Sequence, residues 1–247
     1  MRSLEAFGIK LGSDAQHRLM VDIGDFPPGD HFNRAASFLT ETSSVVLKEI
    51  VPHLEDYPGR WNPGSFMVFP LGLHDELGSL RLHVWPAGLR ETSYGPNIHE
   101  HGWHLSSLVL VGHYSDNLYK LEHASVVDSG ASRAKADLLR LYMTKRNTGG
   151  QDALITDGTL VRPKIISERQ IPEGQIHHIE AGAYHFTTIP LEQLVVTLVV
   201  DSPAFVDATG VLLDSNRPAQ IDRRRIQVKH SHVLLAREQI MRHHGLG

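Results

Sequence analysis

The sequence predicts a mainly β domain, a sandwich or barrel, with helices at its two ends. Two observations carry this. From residue 66 onward, short apolar or alternating runs follow one another with turn residues between them, the texture of antiparallel strands. Outside that region, residues 32–56 and 231–244 carry apolar side chains at helical spacing instead. At 247 residues the chain is long enough for one substantial core.

The first helix is expected over "FNRAASFLTETSSVVLKEIVPHLED", where Phe38, Leu39, Val46, Ile50 and Leu54 recur on one face. Thr42-Ser43-Ser44 weakens its middle and leaves two helices open as an alternative. "YPGRWNPGS" then breaks the chain with Pro and Gly. The strands expected next are "FMVFPLGL", "SLRLHVWPA", "HLSSLVLVGHYSDNLYKLE", "LLRLYMT", "KIISERQIP", "QIHHIEAGAYHFTTI" and "LVVTLVVDSP". "SHVLLAREQIMRHH" closes the chain as a helix, with Ser231 expected as its cap. The expected division is an N-terminal helical region over 1–65, a β barrel over 66–230 and a C-terminal helix over 231–247, both helical parts packed on the barrel.

Composition narrows the function. There is no cysteine, so disulfides, thiolate metal sites and a cysteine nucleophile are excluded. The formal net charge of −4 offers no general attraction to nucleic acid or acidic membranes, and Arg223-Arg224-Arg225 reads as a solvated strand end. No apolar run reaches the roughly 20 residues of a membrane span. "MRSLEAFGIKLGSDAQ" lacks an apolar core of signal-peptide length, so a cytoplasmic protein is expected.

The chain holds 17 histidines, and three of them fall close together in "NIHEHGWHLSSLVLVG". Side chains two apart in a strand share a face, so His99 and His101 converge while Ile98 and Glu100 point away. Gly95-Pro96 reads as a turn that delivers the pair. Further along, Gly182 makes a turn that delivers Tyr184 and His185 at a strand start, where strand pairing could set His185 across from His99 and His101. Neutral imidazoles on one face leave open positions on a divalent metal. His177 is the rival third ligand. His104 breaks the alternation from His101 and is expected as a neighbouring donor, proton relay or base, with Tyr184 a second catalytic candidate. Arg81 alternates with His83 and Trp85. If that face lines the barrel, Arg81 is the candidate anchor for an anionic substrate, with His83, Trp85 and Trp103 beside it; otherwise it is a surface charge. Phe69 and Leu71 are expected to line the same pocket.

These motifs resemble the cupins. "IHEHGWHLSSLVLVG" looks like the first cupin signature, His-x-His, a hydrophobic strand and then Gly112. "GQIHHIEAGAYH" looks like the second, with Gly174, Gly182 and His185 at matching offsets and Glu180 where the motif has Pro. The resemblance spans roughly residues 66 to 203 and is nearest to the three-histidine thiol dioxygenases, the cysteine and cysteamine dioxygenase-like enzymes. It implies a cupin barrel, a double-stranded β-helix or jelly roll, in which His99, His101 and His185 hold one iron(II) that activates O2 to oxidise a small molecule such as a thiol. Most cupins place a glutamate four or five residues after the second His; here Leu105 and Ser106 stand there, as in the thiol dioxygenases. The family's carboxylate-binding arginine is missing from "SFMVFPLGL", and Thr197, Val199 and Asp201 replace its Ser-His-Tyr series. The alternatives are a cupin isomerase or lyase using Zn, Mn or Ni as a Lewis acid, and a non-enzymatic ligand-binding cupin. The expected partners are a small-molecule substrate and O2, with neither nucleic acid nor membrane; a homodimer is compatible with the reading.

Overall fold

A computed structural model of the chain describes residues 2–10, 27–63, 65–90, 98–123, 138–146, 151–224 and 226–246. The expected turn at Gly95-Pro96 and the third arginine of the basic run lie outside the described residues. The protein is mainly β, with two antiparallel sheets and helices.

After the short helix α1 (Arg2–Glu5) and β1 (Ile9–Lys10) comes α2 (Pro28–Val45). Pro28 opens α2 at a position that needs no N–H donor, and Asp30 sits in the first turn, where the helix dipole favours an acid. His31, Ala35, Phe38, Leu39 and Thr42 form its buried stripe. The expected weakness at Thr42-Ser43-Ser44 does not break the helix. Thr42 and Ser43 instead bond back to the carbonyls of Phe38 and Thr40. The helical path changes character later, becoming a π turn at Val46–Ile50 and a 3-10 turn at Val51–Asp56 that carries Pro52. The last helix, α3 (His230–His244), ends on Gly245 in a left-handed cap. Its N-cap is Lys229 with no side-chain hydrogen bond, so Ser231 lies inside the helix rather than capping it.

The strands are β2 (Arg60–Asn62), β3 (Phe66–His74), β4 (Gly78–Trp85), β5 (Ile98–His99), β6 (Leu105–Val111), β7 (His113–His123), β8 (Leu139–Arg146), β9 (Gln151–Ile155), β10 (Leu160–Pro172), β11 (Ile176–Ile179), β12 (Tyr184–Thr188), β13 (Val195–Asp201), β14 (Gly210–Asp214) and β15 (Gln220–Arg224). The first sheet runs β1-β3-β4-β13-β6-β11, with β2 beside β3. The second runs β10-β7-β12-β5-β14-β8-β9-β15, and β10 also pairs with β8. Six strands of the second sheet therefore close into a ring. Ile98, Val161 and Leu212, with Tyr119, Leu121, Leu139, Leu141, Tyr184 and Phe186, form a cluster drawn from all six strands and fill it.

The first sheet has two unlike faces. One carries Met67, Phe69, Leu71, Leu80, Leu82, Val84, Leu108, Leu110, Val196, Leu198 and Val200, which join Leu39, Val46, Ile50, Leu54, Val233 and Ile240 of the helices in the main core. Phe69 and Leu71 belong to this face, which corrects their expected place in a pocket. Period-2 alternation sends Phe66 and Val68 the other way. The opposite face meets the second sheet. There Val109, Tyr114, Ile171 and Val195 pack together, as do Leu105, Ile179 and Val199. Among the described residues no helix is long and apolar enough to cross a membrane.

Candidate metal centre

His99 lies on β5, which is only two residues long and is held between β12 and β14, with His185 and Val211 as its cross-strand partners. The expected apposition of His185 and His99 is thus realised in the register. His101 follows just past the end of β5, in an irregular segment with bends at Gly102 and Trp103 that forms no ladder of its own. Backbone bonds pin it instead: Glu100 N–H to Gly210, Gly182 N–H to His101, Phe205 N–H to Gly102 and Ser202 N–H to His104. Gly182 has φ 79°, the left-handed turn that an L side chain resists, and this turn brings β12 back against His101.

The imidazole nitrogens of His99, His101 and His185 lie within 4.8 Å of one another. The Nε2 atoms of His101 and His185 are 3.1 Å apart. Two nitrogens bound at right angles to one ion, each about 2.1 Å from it, sit about 3.0 Å from each other, so this spacing suits neighbouring ligands. A shared proton between two rings gives a similar distance. His185 carries the further sign. Its Nδ1 is 2.9 Å from Asp116 Oδ1, so the N–H is on Nδ1 and the lone pair of Nε2 faces the other imidazoles. The donor set therefore fits a divalent metal, and among the described residues no carboxylate joins the group.

Asp116 is 1% exposed on β7. Thr187 also donates to its Oδ1, at 2.7 Å. Burial alone would raise this carboxyl's pKa, but the hydrogen bonds from His185 and Thr187, with the flanking imidazoles, outweigh burial and lower it. His177 stands on the far side of Asp116, with Nε2 3.7 Å from Oδ2. Its Nδ1 meets Tyr114 OH at 3.1 Å, and that hydroxyl meets Ser107 Oγ at 3.0 Å. Burial lowers the His177 pKa to about 4. His177 is thus a neutral interior group one carboxylate removed from the three imidazoles, not a member of their cluster.

Arg81, His83 and Trp85 line the face of the first sheet that meets the second, as the barrel alternative required. Arg81 does not stand ready for an anion, because its NH1 lies 2.8 Å from Asp201 Oδ2 and both side chains are largely buried. Asp201 Oδ1 also accepts Trp103 Nε1–H at 2.9 Å, and the Trp103 ring lies 5.1 Å from that of His101. His83 sits beside Phe66, which stacks on Trp85 with ring centroids 4.4 Å apart. The His83 Nε2 is buried, and burial lowers its pKa to about 3.

His104 and Tyr184 are not brought to the imidazole group. His104 packs against His31, Phe32 and Phe205, and its Nδ1 accepts the Ala181 N–H. Tyr184 points into the ring core and bonds Glu100, whose Oε1 also accepts the Gly210 N–H at 2.7 Å. Burial raises the pKa of both Tyr184 and Glu100. Asp116 was not anticipated, although alternation from Tyr114 places it on the inward face of β7. A groove of about 840 Å³ opens elsewhere, bordered by Leu141, Met143, Ile155 and Asp207, and none of the three imidazoles lines it. In comparison with known proteins, no family model matches the chain and no curated protein matches it.

Proposed function

We propose that this chain is a cupin-type, metal-dependent oxygenase in which His99, His101 and His185 hold one iron(II) and a small molecule, such as a thiol, is oxidised with O2. The observation that carries the reading is the group itself: imidazoles from β5, its pinned continuation and β12, converging with no carboxylate among the described residues. The two antiparallel sheets and the turns at Gly112 and Gly182 agree with the cupin motifs. Iron(II) bound by neutral imidazoles supplies open positions for O2 and substrate.

The protein's own part is orientation and exclusion of water. Asp116 holds the His185 ring with Nε2 forward. Trp103 leans on His101 and is anchored by Asp201. The Arg81–Asp201 pair cancels the charge on the neighbouring inner face. A substrate carboxylate wants a charge-assisted, preferably bidentate partner. Arg81, the expected anchor, is already engaged, so small amino-acid thiols are poor substrates and larger or less charged molecules are better ones.

Metal analysis of protein purified without oxygen, followed by O2 uptake with cysteine, 3-mercaptopropionate, cysteamine and larger thiols, tests this. About one iron per chain and uptake favouring thiols without a carboxylate are expected. Efficient cysteine turnover, with kcat/KM of about 10⁴ M⁻¹s⁻¹ or more, overturns the substrate assignment. Protein without iron, or iron-loaded protein that consumes no O2 with any of them, overturns the oxygenase.

A further inference from the structure

We propose that Asp116 is the positioning residue of the metal centre: it fixes the ring and tautomer of His185, and the chain's affinity for a divalent metal depends on it. This rests on the metal reading of the three imidazoles and adds a residue to it that is no ligand itself.

A metal-binding imidazole works through one nitrogen, and the partner of its other nitrogen decides which one is available. For His185 that partner is a carboxylate 1% exposed, set on the neighbouring strand of the same sheet. Register explains the fit. His185 pairs with Leu118 and Thr187 with Asp116, so the carboxylate sits diagonally beside His185 on the same face. Thr187 Oγ1 and His185 Nδ1 both donate to Oδ1, which leaves the carboxylate little freedom to turn. Its Oδ2 faces His177 Nε2 at 3.7 Å, so the short contacts of the carboxylate are the two on the His185 side. A carboxylate acceptor also makes the ring more basic and a better donor toward a cation.

Co(II) serves as the probe, titrated into the full-length protein under visible absorption, with zinc competition to bring tight affinities into range. Far-UV circular dichroism and thermal unfolding run alongside. Asp116→Ala is expected to weaken Co(II) binding about 10–100-fold and to alter the d–d bands, because His185 is free to turn. Asp116→Asn keeps an acceptor for Nδ1–H but loses the charge, and falls between wild type and alanine. It also decides the matter should the alanine variant fail to fold. Folded variants with a lower Tm but Co(II) affinity within twofold of wild type and unchanged bands make Asp116 structural only and overturn the inference while leaving the metal site standing. A wild-type chain that binds no Co(II) overturns the metal reading and this inference together.

Discussion

The two faces of the first sheet contrast sharply. On one, Phe69, Leu82, Val84, Leu108 and Leu198 meet the helices in an apolar core. On the other, the same strands carry Arg81, His83, Ser107, Thr197 and Asp201 toward the second sheet. One residue of offset separates a side chain that packs on the helices from one that faces the second sheet. Substitutions at alternate positions of a single strand should therefore disturb different partners, the helices on one side and the inner-face ion pair on the other.

The largest effect expected is on the helix-facing side. Phe69→Ala removes a ring that is 0% exposed and should cost about 4 kcal/mol in a urea titration. Metal stoichiometry of the folded protein should not change. Loss of metal from folded Phe69→Ala protein would mean that the two faces are not separate.

The inner face should break differently. Asp201→Ala leaves Arg81 buried without its carboxylate, at an expected cost of about 3 kcal/mol. Combining it with Arg81→Met should recover much of that loss, a non-additivity that a double-mutant cycle measures. Strict additivity would show that the pair is not coupled.

The smallest effect concerns the seam between α2 and the sheet. His31 is 4% exposed, and among the described residues neither of its ring nitrogens has a hydrogen-bond partner. Burial, reinforced by His104 and opposed by Asp201, lowers its pKa to about 4, with His178 and Arg34 also disfavouring the charge. The unfolded chain takes up this proton near pH 6.5, before the folded one does. Stability is thus fully present above 6.5 and is lost as pH falls toward 4. Between pH 7 and 5, wild type should lose about 1–2 kcal/mol more than His31→Leu. Equal losses would remove His31 from the account.

Much of this contrast was legible in sequence. The alternation of "SLRLHVW" put Arg81, His83 and Trp85 on one face, and the two-residue spacing of His99 and His101 put them on another. "FMVFPLGL" could not be oriented, because both faces of β3 are buried and apolar and alternation carries no sign there. Phe69 and Leu71 were misplaced for that reason. Whether Arg81 faced inward or was a surface charge stayed open, because its burial depends on Asp201, which arrives from a strand far along the chain. Asp116 was illegible in the same way, since only the β7–β12 register sets it beside His185. β14 was overlooked because "GVLLD" is short and follows an irregular stretch, although it is what seats β5 from its second side.

The central claim is that His185, and not His177, completes a metal centre with His99 and His101. Both are buried imidazoles within reach of Asp116, so replacing each in turn separates them. Elemental analysis of the purified His185→Ala and His177→Ala proteins after identical metal loading is the most direct measurement. The expected result is about one metal per chain in wild type and in His177→Ala, and a small fraction of that in His185→Ala. A full equivalent of metal retained by His185→Ala, or its loss from folded His177→Ala, would contradict the account.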